Sequence, residues 1–166
     1  CIISVSNLIA QPIWVGGTPS IISTTPLSIT LNYGINMTGT IFVAVYNYNT
    51  NPLTNTYVRS LAYQPIPTGS LVANAIIPIT AGNVNGVFQL TLPVFSAKTT
   101  HSVWLVAQNS AGVLQTTPVE LLATTLPCPK VDGILTGFSQ PLLCVTQGAT
   151  ARFNVAADPD PMVSGI

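Results

Sequence analysis

Charged side chains are scarce in this chain, which has four Lys or Arg and four Asp or Glu among its 166 residues. These charged residues make up 5% of the chain, against about 25% in typical soluble domains. Four dispersed cations cannot neutralise a run of phosphates, so the composition excludes nucleic acid and an anionic membrane surface as electrostatic partners. A surface with little charge of either sign also repels copies of itself only weakly, and it therefore favours self-association.

Long hydrophobic runs and helix signals are missing as well. No run of about 20 apolar residues exists, which excludes a membrane-spanning helix. The chain contains 14 Pro and 12 Gly, and we find no window in which apolar residues recur at three-and-four spacing beside charged ones. The mean hydropathy of +0.54 comes instead from short Val, Ile and Leu runs. The sequence therefore predicts an all-β protein.

Groups that could carry catalysis are equally few. The single histidine, His101, has no acidic neighbour in the sequence, and neither a GxSxG motif nor a phosphate-binding loop occurs. Asp158 and Asp160 lie two apart between prolines, a weak calcium signal that is more typical of a solvated turn. The cysteines lack the paired spacing of a zinc site. We expect no enzymatic activity, no cofactor and no metal site.

Three cysteines, Cys1, Cys128 and Cys144, leave one over if two of them pair. Cys128 and Cys144 flank a short segment rich in Gly and Pro, and we predict a disulfide between them that contributes about 3 kcal/mol. For Cys1, three explanations stay open: lipidation after leader removal, a disulfide to another subunit, or an arbitrary start of the sequence. A sequence that begins at Cys without Met also indicates a removed leader and an extracellular location.

Short β-prone runs recur roughly every ten residues, as in a sandwich or a barrel. The run Thr40–Asn47 is apolar on both faces, which predicts either a central strand or a strand covered by a neighbouring molecule. The predicted strands are Ile2–Ile9, Pro12–Val15, Leu27–Tyr33, Thr40–Asn47, Tyr57–Tyr63, Leu71–Ile79, Val87–Leu92, Ser102–Gln108, Val113–Leu122, Leu142–Val145 and Ala149–Val155.

One stretch, His101–Gly112, reads HSVWLVAQNSAG and indicates a strand packed on both faces and ended by a turn. This stretch resembles the penultimate strand of fibronectin type III and related immunoglobulin-like domains. His101 stands where that family usually has tyrosine, so the tyrosine corner bond is not expected here. The resemblance implies an antiparallel immunoglobulin or fibronectin III-like sandwich, with an N-terminal extension strand and extra C-terminal strands.

The chain divides into three regions on this interpretation. Residues 1–18 form an apolar β extension that ends in a Gly-rich hinge, residues 19–125 form the sandwich, and residues 126–166 begin with a Leu-Pro-Cys-Pro break. The last region either packs onto the sandwich as further strands or begins a second immunoglobulin-like unit whose edges are left open.

Open edges could be filled by a strand from another subunit, as in donor-strand complementation. Burying five or six apolar side chains in such a joint contributes on the order of 10 kcal/mol before ordering costs. The candidate groove-filling residues of this inter-subunit strand are Ile2, Ile3, Val5, Leu8, Ile9, Ile13, Trp14 and Val15.

Polar loops and a sequon complete the set of candidate sites. The sequence Asn36-Met37-Thr38 is an N-glycosylation sequon in a predicted loop, so Asn36 could carry an N-glycan. The loops Asn47–Asn55 and Ala81–Gly86 could be recognition tips, although most such loops are only solvated. Trp14 and Trp104 lie within strand patterns, so we expect them to pack rather than to bind a ligand.

We expect a secreted structural protein that polymerises with itself into an extracellular filament, a pilus-like thread or a surface layer. In its low charge and its Thr and Asn content, the chain is similar in style to thread and bundling-pilus subunits of archaea, which use donor strands. The alternative is a cell-surface adhesin or carbohydrate-binding immunoglobulin-like module that uses the two polar loops.

Overall fold

The computed structural model of the protein describes residues 10–48 and 51–128. In chain order these residues form β1 (Ser20–Thr24), β2 (Ser28–Tyr33), β3 (Gly39–Asn47), α1 (Asn55–Ala62), β4 (Leu71–Ile79), a 3-10 helix (Ala81–Asn83), β5 (Phe88–Pro93), β6 (Thr100–Asn109) and β7 (Val119–Thr124).

The strands form two antiparallel sheets. One sheet has three strands in the order β1-β2-β5, and the other has four in the order β4-β3-β6-β7. Gly39 pairs with Asn109 and Asn47 pairs with His101, so β3 and β6 run side by side over their whole length. We name the end of the molecule at Gly39 and Asn109 the upper pole, and the end at Asn47 and Thr100 the lower pole.

The main core lies between the two sheets. Alternate residues of β2 and β5 meet alternate residues of β3 and β6 in one buried cluster, as expected for two sheets packed face to face. Its fully buried members include Ile29 and Leu31 from the three-stranded sheet, and Val43, Val45 and Leu105 from the four-stranded sheet. The prediction of a predominantly β protein is confirmed by this two-sheet arrangement.

A second buried cluster covers the outer face of the four-stranded sheet. Val58, Leu61 and Ala62 of α1 pack there against Phe42 of β3 and Trp104 of β6. The two apolar faces of β3 are thereby explained, because one face meets the opposite sheet and the other lies under a helix of the same chain. Trp104 is a packing residue, as predicted.

The prediction of a strand over Tyr57–Tyr63 is wrong, and the protein is therefore not purely β. These residues belong to α1, which begins after the N-cap Thr54, whose hydroxyl accepts a bond from the Tyr57 amide. The spacing of Val58, Leu61 and Ala62 places them on one helical face. This three-and-four pattern is only one turn and a half long, and the β-branched and aromatic residues around it obscured it.

Among the other predicted strands, Leu71–Ile79 matches β4 at both ends. Those predicted at Leu27–Tyr33, Thr40–Asn47, Val87–Leu92 and Ser102–Gln108 agree in position with β2, β3, β5 and β6, and their ends differ by one or two residues. β1 was not predicted, and β7 begins at Val119 rather than Val113 because Leu114 makes only an isolated bridge to Gln108. Residues 12–15 form no strand, although Trp14 makes one bridge to Ile35. The strands predicted at Ile2–Ile9, Leu142–Val145 and Ala149–Val155 lie outside the described residues.

Residues 10–48 and 51–128 contain no helix with both the length and the apolar character that a bilayer span requires.

Shortening a buried side chain of α1 should destabilise the fold. Leu61 of α1 is buried against the outer face of the four-stranded sheet, so Leu61→Ala leaves a cavity and should lower the free energy of unfolding by about 2–5 kcal/mol. The matched control is Ser60→Ala on the exposed side of the same helix, which should change it by no more than about 0.5 kcal/mol. Urea unfolding followed by circular dichroism measures both, and equal effects of the two substitutions would contradict the placement of α1.

Candidate functional site

The segment Ala10–Val15 lies against the upper pole of its own sandwich. It runs extended between the residues that follow β2 and the loop that follows β6. The backbone of Val15 donates to the Gly34 carbonyl at 3.0 Å, and the backbones of Ile13 and Asn36 are joined by a further 3.0 Å bond. We name this stretch the docked segment.

Two buried side-chain amides hold the backbone of the docked segment. Asn109 Nδ2 donates to the Ala10 carbonyl at 2.8 Å, and Gln115 Nε2 donates to the Pro12 carbonyl at 3.0 Å. Both side chains are only 8% exposed. Because the contacts go to backbone carbonyls, they fix an extended chain whatever its side chains.

The oxygen atom of each amide group is held by backbone amides of β6 or of the loop that follows β6. Asn109 Oδ1 accepts from the amides of Ala111 and Val113, at 3.0 and 2.8 Å. Gln115 Oε1 accepts from the buried Ala107 amide at 2.9 Å. The two amide groups are therefore held by contacts that do not involve the docked segment, and groups fixed in this way add little ordering cost to binding.

On the other side of the docked segment, the backbone at Gly34 lies very close to the backbone at Gly86. A Cβ atom at Gly34 would collide with the Gly86 carbonyl, so the turn after β2 can meet the Ala81–Gly86 loop only because residue 34 is glycine. Next to the docked segment is an open groove of about 260 Å³, lined by residues 11–14, residues 115–117 and Val119.

The residues predicted for the inter-subunit strand separate into two groups. Ile2, Ile3, Val5, Leu8 and Ile9 lie outside the described residues. Trp14 packs against the main core of its own chain, Val15 is partly buried beside Gly34, and Ile13 is 65% exposed. The structure contains one chain, so an inter-subunit role for any of them stays a prediction.

Asn36 is exposed and belongs to the same upper pole. Its Oδ1 atom accepts from the Ile13 amide at 2.9 Å, which leaves the Nδ2 atom, the atom that a glycan would modify, directed away from that bond. N-glycosylation of Asn36 stays a prediction.

Several other predictions fall partly or wholly outside the described residues. Cys144 lies there, so the disulfide from Cys128, which is the last described residue, stays a prediction. Asp158, Asp160, Cys1 and the region that follows residue 128 lie there as well. Within residues 10–48 and 51–128, no group of three or more His, Cys, Asp or Glu side chains is close enough to hold a metal ion.

The two polar loops predicted as recognition tips lie at opposite poles of the molecule. Asn47 ends β3 at the lower pole, whereas the Asn85 amide in the second loop donates to Ile35 at the upper pole. Tyr48 of the first loop and Tyr57 of the adjoining helix α1 are exposed, and the Tyr57 hydroxyl lies 3.4 Å from that of Tyr46. Burial raises the pKa of Tyr46 to about 12, with a smaller contribution from Tyr57.

His101 is fully buried at the lower end of the main core. Neither of its ring nitrogens makes a hydrogen bond of good geometry with the described residues, although the backbones of Ser96 and Tyr46 lie close enough to the ring to act on its pKa. Burial lowers the pKa of His101, although the backbones of Ser96 and Tyr46 oppose this shift. The ring is a buried residue of the core.

The sequence did not point to Asn109 and Gln115 as docking residues. Asn109 was assigned to a turn, which it also forms, and Gln115 was placed inside a predicted strand. The available signal was that both are amide side chains, one at the end of the apolar run of β6 and one in the loop that follows it.

Comparison with known proteins identifies no relative: the chain matches no family model, no curated protein and no solved structure.

Loss of the Gln115 amide should weaken the upper pole. The substitution Gln115→Leu leaves the buried Ala107 amide and the Pro12 carbonyl without their partners, so we expect the free energy of unfolding to fall by about 1–3 kcal/mol. Gln108→Leu is the matched control, because Gln108 makes a single exposed bond to Gly112. Urea unfolding should rank the two variants clearly, and an equal loss would argue against a specific docking role for Gln115.

Stability should depend on the protonation of His101. Its folded-state pKa is lowered, so folding favours the neutral ring, and the unfolded chain binds the proton more readily. This contribution is complete above the unfolded pKa of about 6.5 and is lost as the pH falls below it. Unfolding midpoints measured from pH 7.5 down to pH 5 should decrease in the wild type and change much less in His101→Leu. Parallel curves for the two proteins would show that another group titrates.

Proposed function

We propose that this protein is a structural subunit of an extracellular filament or surface layer, and that its subunits join by β-strand complementation through an N-terminal donor segment. The observation that carries the proposal is the position of the two ends of the described body. The proposal assigns the chain no catalytic role and no cofactor.

Those two ends lie at opposite poles. Ala10 is held by Asn109 at the upper pole, whereas Leu126 bonds to the backbones of Thr25 and Lys98 at the lower pole. A segment that precedes Ala10 therefore starts from the upper pole. A contact made by such a segment with a different surface of the next copy is head-to-tail, and repetition of a head-to-tail contact produces a filament or a ring.

The proposed donor strand is restricted to the residues that precede the docked segment. Ile13, Trp14 and Val15 already have partners in their own body, so we assign them to anchoring the segment. Ile2, Ile3, Val5, Leu8 and Ile9 remain as the groove-filling residues. The scarcity of charge supports their role, because little repulsion opposes the approach of two copies.

The strand order supports the finer resemblance to an immunoglobulin or fibronectin III-like sandwich. In that class, strands A, B and E share one sheet and strands C, F and G share the other. Here β1, β2 and β5 form one sheet, and β3, β6 and β7 form the other with β4 added beside β3. The addition of β4 corresponds to the position of strand C′.

Deletion of residues 1–9 tests the proposed function. This deletion keeps the docked segment and the contacts of Asn109 and Gln115, so the variant should fold as the full chain does. We expect it to remain monomeric by light scattering after size exclusion, whereas the full chain should form ordered filaments in negative-stain electron microscopy.

A deletion of residues 1–17 serves as the control for the anchor. It removes the contacts at the upper pole, so it should be both monomeric and less stable. Normal filaments from either deletion variant would refute the N-terminal donor, and a monomeric full chain at high concentration would refute assembly itself.

An adhesin or carbohydrate-binding module is the second candidate. Two exposed tyrosines support it, Tyr48 and Tyr57, of which Tyr57 has its hydroxyl 3.4 Å from that of Tyr46. Aromatic rings with polar tips suit contact with a partly wet ligand. A glycan array probed with the variant lacking residues 1–9 distinguishes the two. Saturable binding that Tyr57→Ala abolishes, with no filaments from the full chain, would favour adhesion.

A further inference from the structure

The outer edge of β4 is a nine-residue strand edge, Leu71–Ile79, that no other described strand pairs with. It contains no charged residue. A long and uncharged edge is a template for pairing with another chain, and proteins normally protect such an edge with charges, prolines or a covering loop. Whether this edge can accept a strand depends on which backbone groups of β4 point outward.

The directions of these groups follow from which residues of β3 bond to β6 and which bond to β4. The Ser110 amide donates to the Thr38 carbonyl at 3.1 Å, in register with the β3–β6 pairs. Even-numbered residues of β3 therefore bond to β6, and odd-numbered residues bond to β4, because antiparallel pairs alternate. The bond from the Asn47 amide to the Ser70 carbonyl at 2.9 Å agrees with this parity.

Even-numbered residues of β4 consequently direct their backbone groups outward. Thr40 pairs with Pro78, Phe42 with Ile76 and Ala44 with Asn74, and all three of these β4 residues face away from β3. Pro78 fits this assignment, because proline has no amide hydrogen to donate and is tolerated where that group faces outward. Within residues 10–48 and 51–128, no strand pairs with the backbone groups of Asn74 and Ile76, and these groups could bond to an added strand.

The other sheet edges are less suited to receive a strand. The Thr24 hydroxyl bonds to the Thr124 carbonyl at 2.9 Å and the Leu126 amide bonds to Thr25 at 3.2 Å, so the lower end of β1 covers the edge of β7. The edge of β7 also carries Glu120. The edge of β5 is shorter, with six residues, and it ends in Pro93.

Side chains beside the β4 edge leave room for apolar partners. Ala75 and Ile77 on the inner face of β4 and Leu90 of β5 are only partly buried and line the flank between the two sheets. Ile76, on the outer face, is 41% exposed. A strand added to β4 would extend the inner face and cover this flank.

We propose that the outer edge of β4 receives residues Ile2–Ile9 of a second copy of the chain. This inference rests on the proposed function and names its acceptor. The segment is eight residues long and uncharged, which matches the length and character of the edge. In an extended chain Ile3, Val5 and Ile9 share one face, and that face covers Ala75, Ile77 and Leu90.

A second copy fits this edge better than the segment of the same chain. Ala10 is held beside β6, and a strand added to β4 lies three strand spacings from β6, a distance of about 14 Å. Crossing that distance would use about four extended residues of the eight. The segment of the same chain could then cover only half of β4.

Proline substitution at an outward-facing position tests the acceptor. Ile76→Pro in the full chain removes an outward amide hydrogen while leaving the β3–β4 bonds intact, as Pro78 already does in the same strand. We expect assembly, followed by light scattering, to slow by about tenfold or more, the factor that a loss of about 1.4 kcal/mol produces.

Two control variants accompany it. Ile76→Thr keeps the amide hydrogen, and Thr91→Pro blocks an outward position on β5 instead. Both should assemble at close to the wild-type rate. Slowed assembly in Thr91→Pro with normal assembly in Ile76→Pro would overturn the choice of β4. Slowed assembly in Ile76→Thr as great as in Ile76→Pro would show that the side chain, and not the backbone edge, makes the contact.

Hydrogen exchange at β4 gives a measurement that does not depend on how the proline variants fold. The amides of Asn74 and Ile76 should exchange about tenfold or more slowly in the assembled full chain than in the variant lacking residues 1–9. Equal exchange in the two samples would overturn the acceptor even if the deletion abolishes filaments. In that case the N-terminal donor stands and its acceptor lies elsewhere, whereas filaments from the deletion variant would end both proposals.

Discussion

Burial of both faces of β3 and β6 is the constraint on which the rest of the structure depends. Their inner faces form the core against β2 and β5, and their outer faces would expose Phe42, Trp104 and Val106 to water without α1. Dispersion contacts and the hydrophobic effect together require a second layer there. The connection between β3 and β4 supplies that layer as a helix, so the molecule has three layers over its central strands.

Both poles follow from this central pair. Because β3 and β6 are antiparallel and of nearly equal length, the turn after β2, the loop after β6 and the docked segment meet at one end. The loops before β6 and after β7 meet at the other. Side-chain amides replace charge as the means of fixing these loops, as Asn109, Gln115 and Asn74 each hold backbone carbonyls. Neutral hydrogen bonds of this kind need no ion pairs, which suits a chain with eight charged residues in 166.

Much of the fold could be predicted from strand periodicity. The run from Ser102 to Gln108 indicated a strand buried on both faces, and β6 has that burial, because alternation of side chains in a strand is strictly local. The helix could not be predicted in the same way. Tyr57 and Val58 favour a strand by propensity, and only the apolar outer face of β3 and β6, which is distant in sequence, selects the helical face of Val58, Leu61 and Ala62. The candidate site was anticipated in part, since the N-terminal apolar segment drew attention while its docking amides did not.

The sequence by itself determined the composition of the surface and the periodicity of most strands, because both depend on residue identity and on neighbours along the chain. Only the tertiary structure decided that Trp14 packs on its own core, that the two polar loops start at different poles, and that β4 presents an unpaired edge. Each of these depends on which strands become neighbours in a sheet. That choice is made by long-range packing, and the parity of hydrogen bonds that exposes Asn74 and Ile76 exists only after β3 has paired with both β4 and β6.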